Sequence, residues 1–146
     1  MDGGAEVFIV LFVLIILAAV IVPMIFFYIL LMRLLNICSQ ENRKMEGGMV
    51  WLNLIPLFGL GWIFYTVIQI RDSLKLEFSS KNLETDDPEF AFSLGLAFAI
   101  LSACSIIPFL GGLAAIGGIV VWILYWIRMN KYYKILTENN NSQLDS

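Results

Sequence analysis

All nine Lys and Arg residues of the chain stand in three short clusters between long apolar runs that contain no charge. The clusters are Arg33/Arg43/Lys44, Arg71/Lys75/Lys81 and Arg128/Lys131/Lys134, and the runs are Val7–Met32, Met49–Ile70, Phe90–Ile107 and Leu110–Ile127. Hydrophobic residues make up 60% of the 146 residues and charged residues 14%. A soluble core of this size could not bury so much apolar surface, so the sequence predicts an all-α, polytopic membrane protein.

The first run is predicted to be a retained membrane anchor. Val7–Met32 is longer than the apolar core of a signal peptide, and the residues before it include Asp2 and Glu6 but no Lys or Arg. Basic residues favour the cytoplasmic side of a membrane. We therefore expect the N-terminus outside and the C-terminus in the cytoplasm, in a bacterial inner (cytoplasmic) membrane.

The second run, Met49–Ile70, allows two topologies. Pro56, Gly59 and Gly61 form a cluster of helix breakers in its middle. If the run crosses once, six of the nine basic residues lie outside; if it turns back at Pro56–Gly61, all nine lie inside. The sequence thus favours three spanning helices plus a proline-broken re-entrant hairpin, and four spanning helices are the alternative.

The Pro56 turn has a second copy. Ile55-Pro56-Leu57-Phe58-Gly59 recurs 52 residues later as Ile107-Pro108-Phe109-Leu110-Gly111, which is followed by Gly112. Each copy follows an apolar arm and leads into an aromatic-rich helix that ends in Arg. This pattern favours a duplicated hairpin unit, a kind of repeat that is frequent in membrane proteins.

Two further sets of residues indicate how the helices pack and where they meet the membrane surface. Small residues at intervals of four let helices approach closely, which favours association within lipid. The predicted packing residues are Ala91, Gly95, Ala99, Ala103, Ala115 and Gly118. Trp and Arg at the ends of apolar runs are typical interfacial anchors. The predicted anchors are Trp62, Arg71, Trp126 and Arg128.

The segments between and after the runs are predicted from their local patterns. The second helix is expected to continue past Ile70 with an apolar face of Val67, Ile70, Leu74 and Phe78. Asp87 is the expected N-cap of the third helix. Residues 1–137 are expected to form a single helical membrane domain, and the polar residues 138–146 a disordered tail.

The sequence contains no motif that predicts catalysis or a cofactor. The chain has no His, no charge inside an apolar run and no P-loop, dinucleotide fingerprint or Cys/His metal spacing. Cys38 and Cys104 are interpreted as small buried hydrophobes. The carboxylates of Asp72–Glu89 could bind a cation or a basic partner, but a solvated loop is the favoured interpretation. We expect no enzyme, no metal, no cofactor and no nucleic-acid partner.

Parts of the chain resemble a family of small, uncharacterised bacterial integral membrane proteins. The motif is carried by Trp51–Trp62, followed by Asp72–Phe78. In that family a Trp/Leu-rich arm leads to Ile-Pro and a Trp, and a second Ile-Pro hairpin precedes a basic, aromatic end. Asn is frequent there at the position of Gly59 or Leu60, giving a repeated Ile-Pro-x-x-Gly/Asn motif. The resemblance covers Met49–Phe78 and Ser105–Tyr133, and it implies a topology but no activity.

The functional expectation follows from small size, uncharged spans and small-residue packing faces. It is a non-catalytic accessory or structural subunit of a larger membrane assembly, whose partners are membrane lipid and other membrane protein subunits. The alternative is an oligomeric pore or lipid-binding protein that uses the re-entrant Pro56–Gly61 turn, because re-entrant backbone is tolerated beside a water-filled cavity.

Overall fold

The computed structural model describes residues 3–144, and in this range the chain is helical without strands, which confirms the all-α class. Four α-helices and one 3₁₀ helix are connected by short turns. They are α1 (Gly3–Ile37), the 3₁₀ helix (Gly47–Leu54), α2 (Phe58–Ser80), α3 (Phe92–Cys104) and α4 (Gly111–Leu144). The outermost residues, Met1–Asp2 and Asp145–Ser146, lie outside the described range.

Among residues 3–144, two helices are long and apolar enough to cross a membrane, α1 and α4. At 1.5 Å per residue, α1 is about 52 Å long and the 13-residue α3 only about 20 Å. A hydrocarbon core is about 30 Å thick. α1 exceeds this thickness and α3 alone does not reach it.

The run Met49–Ile70 is a hairpin of the 3₁₀ helix and α2, and its two ends lie together. The backbone N–H of Lys44, before the hairpin, donates to the Ser73 hydroxyl after it at 2.8 Å. The Asn42 amide donates to the Glu77 carboxylate at 2.8 Å. A straight helix through this run would separate these residues by its full length. Pro56 is therefore at the far tip of a chain that returns to its starting point.

α3 and α4 form a second hairpin with its ends at the same end of the molecule. Asp86, just before α3, pairs with Arg128 at 3.1 Å and Lys131 at 2.7 Å on α4. Glu89 pairs with Arg71 on α2 at 3.5 Å, which joins the two hairpins. We call this end, where the three basic clusters lie, the basic end.

The core lies around the second half of α1. Phe27 makes edge-to-face contacts with Phe98 of α3 and with Trp122 and Tyr125 of α4. The predicted apolar face of α2 is confirmed, because its four residues are all buried; they are Val67, Ile70, Leu74 and Phe78. By contrast, every residue from Gly3 to Val22 is exposed. We call residues 3–22 the bare segment of α1.

α3 is shorter than the run Phe90–Ile107 from which it was predicted. Phe90 and Ala91 have φ angles of 52° and 56°, which are left-handed values that interrupt a right-handed helix. The Asp87 carboxylate accepts the N–H groups of Glu89 at 3.1 Å and Ala91 at 2.7 Å. Asp87 therefore caps a turn, and α3 starts only after it.

α4 is longer than predicted. The sequence predicted disorder from Glu138, but the helix continues to Leu144. Leu136 is fully buried, and Asn140 accepts a hydrogen bond from Lys81 at 2.5 Å. The Ser142 hydroxyl also bonds the Glu138 carbonyl at 2.9 Å. Contact with α2 thus supports helix in a polar sequence, and the rest of the predicted tail lies outside the described residues.

Candidate functional site

The two hairpin tips have the same backbone geometry. Leu57 and Phe109 each follow a proline and have positive φ angles of 64° and 73°. Three residues after each proline stands a glycine whose N–H bonds the carbonyl of the residue before that proline. These distances are 2.7 Å for Gly59 and 2.9 Å for Gly111. A positive φ is strained for Leu or Phe. The rest of each turn must therefore stabilise this backbone conformation.

Two glycines were predicted at each hairpin tip, and close packing requires only one of them. A Cβ on Gly59 would collide with the Asn53 carbonyl oxygen, and one on Gly111 would lie 2.6 Å from the Ser105 carbonyl oxygen. Gly61 and Gly112 face open space. The turns therefore use Pro56 with Gly59 and Pro108 with Gly111, and their second glycines have no steric role.

Side-chain hydrogen bonds close the first hairpin. The Asn53 amide donates to the Val50 carbonyl at 2.8 Å and to the Thr66 hydroxyl at 3.0 Å. The Trp62 indole N–H donates to the Met49 carbonyl at 3.0 Å. These bonds join the arm to α2 and satisfy the backbone carbonyls of Met49 and Val50. Trp62, predicted as an interfacial anchor, lies within this closure.

The predicted packing residues fall into three environments. Gly95 is wedged between α2 and α4, where a Cβ would lie 2.6 Å from the Val67 side chain and 3.0 Å from the Tyr125 ring. Ala99 and Gly118 are also buried, Gly118 against Leu101, and Ala103 is half-buried. Ala91 is buried but precedes α3, whereas Ala115 is exposed and faces away from the bundle.

The remaining predicted anchors lie at or near the basic end. Arg71 pairs with Asp72 at 2.8 Å and stacks over the Phe92 ring at 4.4 Å. Arg128 binds Asp86, as described above. Trp126 packs on Trp122 with ring centroids 5.3 Å apart, and on Phe27.

The acidic loop forms ion pairs within the chain. Asp86 is held by Lys131 and Arg128, and their hydrogen bonds hold the pKa of this carboxyl below its usual range. Glu89 lies 3.6 Å from Lys75 as well as near Arg71. Within residues 3–144, no group of three His, Cys, Asp or Glu side chains is placed to hold a metal ion.

An apolar groove runs between α1 and the α3–α4 hairpin. It encloses about 320 Å³. Its lining is Ala19, Val20, Pro23, Met24, Tyr28, Phe98, Gly118, Ile119 and Trp122. A second cavity of about 300 Å³ at the first hairpin tip shares Met24, Tyr28 and Phe98 with this groove and includes Pro56 and Asn53. The surface is suited to hydrocarbon or to an apolar helix.

The sequence did not indicate that Glu77 is buried. Its carboxylate accepts the Ser39 N–H at 3.0 Å, the Ser39 hydroxyl at 3.1 Å, the Asn42 amide at 2.8 Å and the Lys81 ammonium at 2.9 Å. Burial alone would raise the pKa of Glu77, but the bonds from Asn42, Lys81 and Ser39 hold it below its ordinary 4.5. The polar residues of the Ser39–Asn42 loop were the available signal.

Arg43 and Cys38 complete the C-terminal end of α1. The Arg43 guanidinium donates to the carbonyls of Asn36 at 3.0 Å and Cys38 at 3.2 Å, which satisfies acceptors that a helix end leaves free. The Cys38 thiol donates to the Leu34 carbonyl at 3.3 Å. Burial, with the Glu77 charge beside it, raises the pKa of Cys38 to about 12. Cys38 is therefore a structural thiol.

Comparisons of the chain with protein-family models, curated proteins and solved structures gave no match.

Proposed function

We propose that the chain is a non-catalytic integral membrane protein that serves as an accessory or structural subunit of a larger membrane assembly. The bare segment of α1 carries this proposal. Its side chains are almost all apolar, and none is buried by the rest of the chain. In a soluble protein, such a surface would need a partner to bury it. In a membrane, it is covered by lipid or by another helix.

Exposed small residues support a helix as the partner. Ala18 and Ala19 of the bare segment are exposed, and so are Gly112 and Ala115 in the first turns of α4. α1 and α4 run in the same direction, since Phe27 meets Trp122 and Tyr125 while Arg33 lies beside Tyr133. These small residues therefore lie at similar levels along the helix axes. Helix association in lipid depends on close backbone approach at such residues.

The membrane arrangement that we propose has three crossings and a re-entrant hairpin. α1, the α3 hairpin arm and α4 cross, and the 3₁₀ helix and α2 enter and return. From Phe58 to Arg71, α2 rises about 20 Å, and from Gly111 to Arg128, α4 rises about 26 Å. The basic end is cytoplasmic and the N-terminus lies outside, in a bacterial inner membrane.

The repeat geometry supports a further part of the proposal. The two tips share their proline, the positive φ after it and the close-packed glycine. These matches are local and concern the backbone, so they depend less on composition than the letters of the motif do. We propose that the hairpins descend from one duplicated unit, as in the small bacterial membrane proteins with the repeated Ile-Pro-x-x-Gly/Asn motif.

Site-specific photo-crosslinking in native membranes tests the accessory role. A photo-reactive residue at Ile16 in the bare segment should give discrete adducts with one or a few other membrane proteins. The same residue at Leu31, which is buried in the core, is the matched control and should give only internal products. If Ile16 gives lipid adducts alone, and blue-native electrophoresis shows a lone monomer, the subunit proposal fails.

Lipid binding is the second candidate function, and the apolar groove favours it. The groove is lined by apolar residues and adjoins the cavity at the Pro56 tip. An oligomeric pore that uses the Pro56–Gly61 turn is the related alternative. Ion or solute flux through liposomes that contain the folded protein tests the pore. Absence of flux would eliminate the pore and leave lipid binding to be tested directly.

A further inference from the structure

A notch between α1 and α4 at the basic end combines donors with an apolar wall. It encloses about 210 Å³. The lining residues are Phe26, Ile29, Leu30, Arg33, Asn130 and Tyr133. Arg33, Asn130 and Tyr133 can donate hydrogen bonds, and none of these three side chains has a hydrogen-bond or ion-pair partner within residues 3–144. We call this site the Arg33 notch.

Arg33 differs from the other arginines of the chain in its lack of a partner. Arg43 binds helix-end carbonyls, Arg71 pairs with Asp72 and Glu89, and Arg128 pairs with Asp86. The guanidinium of Arg33 is exposed beside the notch without an acidic neighbour. A planar fork of this kind suits a phosphate group, which it can bind through two parallel hydrogen bonds.

A second unpaired cation stands close along α4. Lys134 is exposed, has no ion-pair partner among the described residues, and follows Asn130 by four residues. Residues four apart lie on one face of a helix. Arg33 and Lys134 therefore give this face a net positive charge, although Glu138 lies four residues beyond Lys134 and the acidic loop pairs with the cations on the other side of α4.

The apolar part of the notch points away from the basic end. Phe26, Ile29 and Leu30 precede Arg33 on α1 and lead toward the apolar half of the helix. A ligand that fills the notch thus meets cationic and polar donors at one end and hydrocarbon at the other. A phospholipid has this order of chemistry, and a free phosphate ion would leave the apolar wall uncovered.

We propose that the Arg33 notch binds an anionic phospholipid. The headgroup phosphate accepts hydrogen bonds from Arg33, Tyr133 and Asn130, and one acyl chain lies along Phe26 and Leu30. This proposal rests on the membrane insertion of α1 in the proposed function, and it holds with or without a partner subunit. It assigns a lipid site separate from the apolar groove.

Native mass spectrometry of the full chain in mild detergent tests the site. The probes are phosphatidylglycerol, phosphatidylcholine of the same chain length, and inorganic phosphate. We expect retention of phosphatidylglycerol over phosphatidylcholine, and Arg33→Gln should reduce that retention about tenfold. Lys44→Gln is the matched control, because Lys44 is also exposed with no side-chain partner but lies outside the notch. It should retain the lipid as the wild type does.

Three other results would overturn the proposal. Equal retention by Arg33→Gln and wild type removes the site, and an equal loss in Lys44→Gln indicates diffuse charge attraction. Binding of inorganic phosphate as tight as that of phosphatidylglycerol indicates a free-anion site. If Arg33→Gln fails to fold, Tyr133→Phe decides, with a several-fold loss expected. The Ile16 crosslinks are read separately, so failure here leaves the subunit proposal standing.

Discussion

At the scale of single residues, Glu77 is a charged side chain that several hydrogen-bond donors surround inside the protein. It is fully buried, and its four hydrogen bonds come from the Ser39–Asn42 loop and from Lys81. A buried carboxylate is tolerated only when its acceptor sites are filled. Glu77 therefore fixes the loop after α1 to the end of α2, and it keeps the base of the first hairpin closed.

Replacement of Glu77 by Ala should destabilise the protein by about 2–3 kcal/mol, because Ser39, Asn42 and Lys81 lose the buried carboxylate that accepts their hydrogen bonds. Unfolding by SDS in mixed micelles measures this change. The matched control is Glu46→Ala. The Glu46 side chain is 76% exposed and only pairs with Arg43. Glu46→Ala should change stability by less than about 0.5 kcal/mol. Equal effects of the two substitutions would contradict the assigned role of Glu77.

The pKa of Glu77 also predicts a pH dependence. This pKa is lower in the folded protein than its ordinary 4.5, so the unfolded chain binds more protons at acid pH. The ionised Glu77 carboxylate stabilises the folded protein fully above pH 4.5. This contribution is lost as the pH falls below that value and through the lower pKa of the folded state. Glu77→Gln should flatten this acid loss, with Asp86 supplying what remains. A melting-temperature series from pH 7 to pH 3 measures it, and an equally steep loss in both proteins would be the contrary result.

Each hairpin tip offers a glycine test with an internal control. Gly59→Ala and Gly111→Ala introduce a methyl group against backbone carbonyls and should each cost about 1–3 kcal/mol. Gly61→Ala and Gly112→Ala face open space inside helices and should be neutral or stabilising by up to about 1 kcal/mol. Unfolding in the same micelles compares each pair. A pair with no difference would show that its tip is built otherwise.

Sequence could predict which residues form the tips but not which glycine each tip needs. Pro56 and Pro108 punctuate apolar runs, so the turns were visible. Gly59 and Gly61 look equivalent in the sequence, because the distinction depends on where the Asn53 carbonyl lies in space. The burial of Glu77 could not be predicted for the same reason, because the loop that buries it comes from 35 to 38 residues earlier in the chain.

At the scale of elements, the 3₁₀ helix is the unusual component. It has eight residues, whereas most 3₁₀ helices have three or four. At 2.0 Å per residue it reaches about 16 Å, compared with about 12 Å for an α-helix of equal length. The extra length lets a short arm match the part of α2 beside it. Asn53 and Trp62 then join the two arms across the hairpin.

Thr66→Val should measure how much the hydrogen bond across the first hairpin contributes to stability. The Thr66 hydroxyl bonds both its own helix, at the Trp62 carbonyl, and Asn53 of the 3₁₀ arm. We expect a loss of about 1 kcal/mol, since interhelical hydrogen bonds in membranes are of this size. Thr137→Val is the control, because Thr137 bonds only the Tyr133 carbonyl of its own helix. Equal losses in SDS unfolding would argue against a role for the Asn53 bond.

Element boundaries were predictable where they follow composition and not where they follow contacts. α2 continues past Ile70 as its apolar spacing indicated. α3 is trimmed by the left-handed Phe90 and Ala91, which nothing in their identity suggests. α4 extends through a polar Asn-rich stretch because Lys81, the residue after α2, bonds Asn140.

At the scale of the whole molecule, the basic residues lie at one end, whereas Glu6 stands at the start of α1. Contacts of the acidic loop and of the Ser39–Lys44 loop bring the ends of both hairpins together at the basic end. In the proposed membrane arrangement, the positions of the basic clusters are the most informative part of the sequence, because a bilayer would impose a single boundary on every connecting loop. The sequence predicts a membrane anchor for the bare segment but does not indicate what covers its side chains.

Cysteine labelling tests this arrangement in sealed, right-side-out cells. In a background with Cys38 and Cys104 replaced by Ala, an impermeant maleimide should modify Ala5→Cys directly. Glu41→Cys and Lys75→Cys should react only after permeabilisation, since both positions belong to the basic end. Because the three substituted positions are all exposed, differences in reaction report sidedness. Modification of Lys75→Cys in intact cells would replace the hairpin with four straight crossings.

The bare segment also implies an order of events during synthesis. A ribosome completes α1 before it has translated Phe98, Trp122 or Tyr125, the residues that surround Phe27. In the proposed membrane arrangement, the first twenty described residues reach their final surroundings as soon as they enter lipid, because no later residue up to Leu144 buries them. The second half of α1 must wait for both hairpins. Insertion and bundle assembly are thus separate stages, and a nascent chain stopped near Met45 would already be anchored but still without its core.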